Sequence, residues 1–230
     1  MTRPHFSATA YLLVAVTAVV SASGVERPAT AMAGGGGGGR RAEATLSIES
    51  GQAIGSADAP AVLVVFADFK CRYCAAFMAT ALPVLRDEYV RTGQLQIAYM
   101  HDPLPYLRRH SLVAAEVAEC AAEQGLFWPV HDAYFLKQSV LDDRLVWDLA
   151  AAEGARLDGG DGLRACVASG RALVRVADQA ALAHQFRVIA TPAFVVGARD
   201  ATGTIHVVGQ LSGGGALADI RALVGKIVGR

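Results

Sequence analysis

The chain lacks a net charge: 21 lysines and arginines balance 21 aspartates and glutamates over 230 residues. A nucleic-acid binder needs a basic stripe to meet phosphates. The arginine pairs Arg40-Arg41 and Arg108-Arg109 are too short for one and are read as solvated surface, so no nucleic-acid partner is expected. Cysteine is scarce, with four in all and a single CxxC. A structural zinc site asks for four ligands, commonly a second CxxC or a histidine pair. Here His101, His110, His131, His184 and His206 are scattered singly, so neither a metal nor another cofactor is expected. No Cys-His signature supplies the base of a cysteine hydrolase. Internal repeats are absent too.

At the N-terminus Arg3 and His5 form a weakly basic start, and residues 8–20 are almost wholly apolar. That run has the length of a secretory signal's apolar region and is short for a membrane span. Ala31-Met32-Ala33 follows as a cleavage signal, with Ser21-Ala22-Ser23 as a second candidate. Residues 1–33 are therefore read as a signal peptide; the alternative is an uncleaved anchor, because residues 11–25 could span a thin bilayer. Residues 34–45, opening with six glycines, read as a linker without packing capacity. It is a free tail if the signal is removed and a tether to the membrane if it is kept. Either way the expected location is periplasmic or otherwise extracytoplasmic, where cysteines are free to pair.

The remaining chain opens with AVLVVFA, residues 61–67, a β-branched apolar run that reads as a strand buried on both faces. Cys71 and Cys74 come next, followed by Phe77, Ala81, Leu85 and Tyr89 at helical spacing, with Pro83 expected to kink the helix. Residues 95–100 read as a second, parallel strand, completing a βαβ unit whose helix begins at the cysteines. Residues 106–186 hold no convincing strand and read as four or five helices broken at Gly125, Pro129, Gly154, residues 158–162 and Gly170. Residues 193–196 and 205–208 form a hairpin signal, and residues 215–228 a last helix. The order βαβ, helical block, ββα predicts an α/β protein with the thioredoxin fold on residues 46–105 and 187–230. Its sheet is expected to have four strands, and residues 106–186 to be an inserted helical domain.

DFKCRYCAAF at 68–77, DPLP at 102–105, CAAEQGLFWPVHDAYF at 120–135 and ATPAFVV at 190–196 together resemble the DsbA-like thiol–disulfide oxidoreductases. The resemblance implies Cys71 and Cys74 as the redox pair and Thr191-Pro192 as a cis-proline loop that receives the substrate's extended chain. The chemistry of the cysteines agrees. A cysteine at a helix N-terminus faces unsatisfied N–H groups and the positive end of the helix dipole, which favours its thiolate. In such motifs the pKa falls from about 8.5 towards roughly 3.5–7. Arg72 is expected to push the same way, and Tyr73 to pack or dock. The family places a buried acid six residues before the first cysteine; that position is Val65 here, and LQIAYM at 95–100 offers no lysine to assist. Asp68 is expected on an exposed approach loop, leaving Cys74 to exchange its proton with water.

Cys120 and Cys166 lie on separate predicted helices, and relatives implied by the resemblance carry cysteines at comparable positions. A structural disulfide is expected, with two buried free thiols or a second redox pair as alternatives. Phe127, Trp128, Tyr134 and Phe135 are assigned to the core of the insertion. The expected function is an exported protein-disulfide oxidoreductase, a monomer that oxidises the dithiols of reduced exported polypeptides. A membrane quinone-linked partner, implied by the resemblance alone, would regenerate it. An extracytoplasmic thiol reductase and a Cu(I)-handling CxxC module, for which a dithiolate is soft enough, remain as alternatives.

Overall fold

The computed structural model describes residues 44–103, 108–214 and 216–229. The signal segment, nearly all of the glycine-rich linker and part of the DPLP motif lie outside the described residues, as do the side chains of the second arginine pair. Among the described residues no helix is long and apolar enough to cross a membrane.

The first long strand, β3 (Ala61–Ala67), is buried at every position. Its apolar run suits the middle of a sheet: it pairs in parallel with β4 (Leu95–His101) and antiparallel with β5 (Ala193–Arg199). A hairpin joins β5 to β6 (Ile205–Ser212). Alternate β3 side chains feed two cores. Leu63, Val65 and Ala67 face one packed with α1 (Arg72–Leu85), and Val62, Val64 and Phe66 face another that includes Ala183. The last helix, α7 (Leu217–Val228), buries Ile220 and Val224 in the first of these cores.

Among the described residues the sheet has six strands, not the four expected, in the order β1-β6-β5-β3-β4-β2. Its edges are β1 (Thr45–Leu46) and β2 (Gln52–Ile54), whose two and three residues are too few for a periodic signal. Thr45 thus belongs to a strand and not to the linker. β5 and β6 also run past the expected ends, to Arg199 and Ser212.

Between β4 and β5 the described residues form five α-helices: α2 (Arg108–Ala122), α3 (Phe127–Leu136), α4 (Asp143–Ala152), α5 (Leu163–Ala168) and α6 (Arg171–Gln185). Pro129 does not break this block. It sits in the first turn of α3, where its missing N–H would have had no helical acceptor. Pro83 likewise lies inside α1, which runs on to Leu85 and passes into a π-helical turn at Arg86–Val90. Cys120 of α2 and Cys166 of α5 are joined by a disulfide, with an S–S distance of 2.00 Å.

Candidate active site

The end of β3 delivers the chain to the N-terminus of α1, and Cys71 is the residue at the turn. It is the N-cap of α1 in extended conformation, with no side-chain cap. Its N–H bonds back to the Asp68 carbonyl at 3.0 Å, and its carbonyl receives the first helical bond from Ala75 N at 3.1 Å. Cys74 sits one turn in, completely buried, while Cys71 keeps 6% of its surface exposed. Both are free thiols. The Thr191–Pro192 peptide is cis, and the Cys71 Sγ donates to the Thr191 carbonyl oxygen at 3.3 Å. Residues 120 apart in sequence thus meet at the reactive sulfur.

The two thiols are driven in opposite directions. Cys71 is lowered from 9.0 to about 6, first by the hydrogen bond it receives from the Cys74 thiol, against the opposing effect of burial. The Thr191 side chain and the backbone N–H groups of Cys74 and Tyr73 lower it further. Those N–H groups are the unsatisfied donors of the first helical turn. Cys74 is raised, first by burial and then by its hydrogen bond to Cys71 and the Cys71 charge; the Asp68 backbone opposes this in part. The anion therefore resides on Cys71.

Arg72 fills its expected role only weakly: its charge and that of Cys71 favour one another, but this is the last of the influences on the guanidinium. Its guanidinium stands 4.7 Å above the Tyr73 ring and donates to the Tyr73 hydroxyl at 2.7 Å. Arg72 is not among the strongest influences on Cys71, and Tyr73 dominates its own electrostatics. The pair forms an exposed plate beside the sulfur, with Tyr73 54% exposed.

Asp68 corrects a second expectation. It is buried, at 2% exposure, because its Oδ1 accepts from Lys70 N and from Ser111 Oγ of α2, each at 2.7 Å. An aspartate that bonds its own backbone two residues on makes an Asx turn, and D-F-K is a sequence in which that turn is available. Lys70 is tied as well: its Nζ donates to the Leu141 and Gln138 carbonyls, and Gln138 Nε2 returns a bond to the Lys70 carbonyl. The loop before Cys71 is thereby clipped to α2 and to the connection between α3 and α4.

Against His101, the last residue of β4, lies an acid that no sequence pattern discloses. Glu119 of α2 is fully buried. Its Oε1 accepts from Gln179 at 2.8 Å and lies 3.4 Å from His101 Nε2; its Oε2 accepts from Gln52 at 2.8 Å and from Arg175 at 3.3 Å. Burial alone would raise its pKa, yet the His101, Gln179 and Arg175 contacts hold it below the usual value. An alanine-rich helix gives no hint that one glutamate faces inward. Phe127, Tyr134 and Phe135 are buried, and with the half-buried Trp128 they pack towards Phe69 and Tyr99. They join the helical block to the active-site loop.

A dithiol at a helix start, facing a cis-proline loop on a mixed sheet, defines a thioredoxin-fold redox site. A family model described as Thioredoxin matches residues 47–207, and the chain belongs to that family. Within it the architecture is the DsbA-like one. The structure is similar to a single-substitution variant of alpha-DsbA1 from Wolbachia pipientis, with a TM-score of 0.68 and 21% identity over 80% of this chain and 94% of that one. It is also similar to oxidised BdbD from Bacillus subtilis, with a TM-score of 0.67 and 19% identity over 82% and 98%. In sequence it is 35% identical over 66% of its length to Na(+)/H(+) antiporter NhaA 3 of Salinispora tropica, and spans 22% of that protein. It is 33% identical over 38% of its length to a probable disulfide bond formation protein D of Bacillus anthracis, and spans 40% of that protein.

Proposed function

We propose that the chain is an exported protein-disulfide oxidoreductase that introduces disulfides into reduced polypeptides through Cys71 and Cys74. The observation that carries this reading is the opposed tuning of the two thiols, Cys71 lowered to about 6 and Cys74 raised in a buried position. Stabilising the reduced thiolate makes the disulfide a stronger oxidant.

In the oxidised protein a substrate thiolate attacks the Cys71 sulfur, the one with exposed surface. The Cys71–Cys74 bond breaks, and Cys74 leaves with the electron pair and takes a proton. A second substrate thiolate then attacks the substrate sulfur of the mixed disulfide. The substrate's own disulfide forms, and Cys71 leaves as the thiolate its surroundings favour. The Thr191 carbonyl, now bonded to Cys71, is free in that sequence to pair with the substrate's extended backbone. Exposed Tyr73 and Ile189 flank the sulfur and Thr191 in the chain and suit an unfolded apolar segment. A membrane quinone-linked oxidase would return the pair to the disulfide.

The test is equilibration of the 71–74 pair with glutathione buffers. A potential near about −120 mV supports a disulfide donor, and one near about −270 mV would make the protein a reductant instead.

A further inference from the structure

Among the described residues nearly every arginine side chain lies within ion-pair distance of a carboxylate, as Arg86 does with Asp132 and Arg171 with Glu123. Arg199 is bonded to carbonyls and to Gln96 instead. The two that remain are Arg72 and Arg187, and both border the loops that meet at the Cys71 sulfur. Arg72 follows Cys71 in the chain and is exposed. Its one acceptor among the described residues is the Tyr73 hydroxyl, which is neutral, so most of its N–H donors are open.

Arg187 stands where α6 turns into the loop that ends at Thr191. Its φ is 52°, in the left-handed region where helices usually end on glycine. An arginine held in that conformation, next to a reactive loop, points to a use for its side chain. Its guanidinium has neither a hydrogen bond nor an ion pair among the described residues. It lines a cavity of about 630 Å³ with Ile189, Ala190 and Leu211, between the loop before the cis-proline, the start of β5 and the end of β6. The acids of this region leave both cations uncompensated. Asp68 is buried in its turn, bonded to Lys70 N and Ser111. Asp102 shares a second cavity with His184 and Arg187 but makes no ion pair with Arg187, and burial raises its pKa. Lys70, just before Cys71, has its Nζ on carbonyls.

We propose that Arg72 and Arg187 select the substrate, so that cysteines flanked by aspartate or glutamate are oxidised faster than those flanked by neutral or basic residues. The inference rests on reading Cys71 and Cys74 as an exchanging pair. A guanidinium presents a fork that a carboxylate meets with two parallel hydrogen bonds, and a cationic approach raises the encounter rate of an anionic partner. In the step itself the substrate thiolate attacks the Cys71 sulfur, the Cys71–Cys74 bond breaks, and Cys74 leaves with the electron pair and takes a proton. The attacking group is an anion too, and the two cations keep it ionised beside an acidic neighbour. Away from the protein the order runs the other way, because a like charge next to a thiol disfavours its thiolate.

The test uses the oxidised protein and three dithiol peptides that differ only in the residues flanking the first cysteine, which are glutamate, glutamine or lysine. Reduction of the 71–74 disulfide is followed by acid quench and thiol alkylation. The same peptides are reacted with the uncharged disulfide of mercaptoethanol, where the lysine peptide should be fastest. The wild-type protein is expected to prefer the glutamate peptide over the glutamine peptide by about two- to fivefold, the rate equivalent of an exposed ion pair, and to oxidise the lysine peptide slowest. The preference should narrow at high salt. Arg72→Gln and Arg187→Gln should each reduce it, the double variant should lose it, and Arg72→Glu combined with Arg187→Gln should reverse it. Rates with the glutamine peptide report any general change in the disulfide, which the ratio of peptides removes. Equal rates for the three peptides in the wild type, or a glutamate preference that survives in the double variant, overturns the proposal; a single variant with the wild-type preference removes that arginine from the role. A wild-type disulfide that none of the peptides reduces would count against the exchange reading itself.

Discussion

Removing the Cys74 thiol separates the two sources of Cys71 acidity. The largest influence lowering Cys71 to about 6 is the hydrogen bond from Cys74, ahead of Thr191 and the helix N–H groups. A hydrogen bond to a charged group contributes about 1.5–3 kcal/mol, and one pKa unit is about 1.4 kcal/mol. Cys74→Ala should therefore raise Cys71 by about one to two units, to roughly 7–8. It should not reach the free value, since Thr191 and the backbone N–H groups of residues 73 and 74 stay in place. Cys74→Ser keeps an O–H donor in the same position and should leave Cys71 near its wild-type value. The assay is ultraviolet thiolate absorbance of Cys71 against pH in the two single variants, each of which has one free thiol besides the 120–166 disulfide. Equal titration of the Ala and Ser variants would refute the assignment of acidity to the Cys74 hydrogen bond.

Three further outcomes follow from the same structure. Val65→Glu puts a carboxyl into a core position that is 1% exposed; it should raise the Cys71 pKa by adding negative charge and cost several kcal/mol of stability, and a Cys71 titration that moves down would contradict this. Replacing Cys120 and Cys166 together by alanine should cost about 4 kcal/mol in denaturant unfolding, the chain-entropy value for a loop of 46 residues, and the denatured oxidised wild type should show no free thiol. Glu119→Ala strands Gln52, Gln179, Arg175 and His101 at once and should cost about 3–5 kcal/mol. Because the folded Glu119 pKa is depressed, its stabilisation is complete above the unfolded value of about 4.3 and is lost as pH falls through the folded one. Thermal unfolding of the Ala variant should be less sensitive to acid than that of the wild type, and equal sensitivity would count against a buried carboxylate.

What the sequence made legible was whatever repeats or breaks locally. AVLVVFA announces a central strand because seven consecutive apolar residues have no solvent face, and CxxC after it marks where the helix starts. The edge strands were not legible, since Thr45–Leu46 and Gln52–Ile54 are stabilised by the neighbours they join and not by their own pattern. At the site, Cys71, Cys74, Thr191 and Pro192 could be named from their motifs. The contacts that tune them could not: Arg72 turns to Tyr73, a choice made by side-chain geometry within the helix. Asp68 is buried only because α2 supplies Ser111, and Glu119 is satisfied only where β2, β4, α2 and α6 converge. Such partners lie 43 to 67 residues apart. No local spacing encodes them.

The central claim is that the fold makes Cys71 a comfortable anion. Its most direct test is the rate of Cys71 alkylation in the reduced wild-type protein, measured against pH. A midpoint at about 6 is the expected result; a midpoint at about 8.5, the value of an ordinary cysteine, would contradict it.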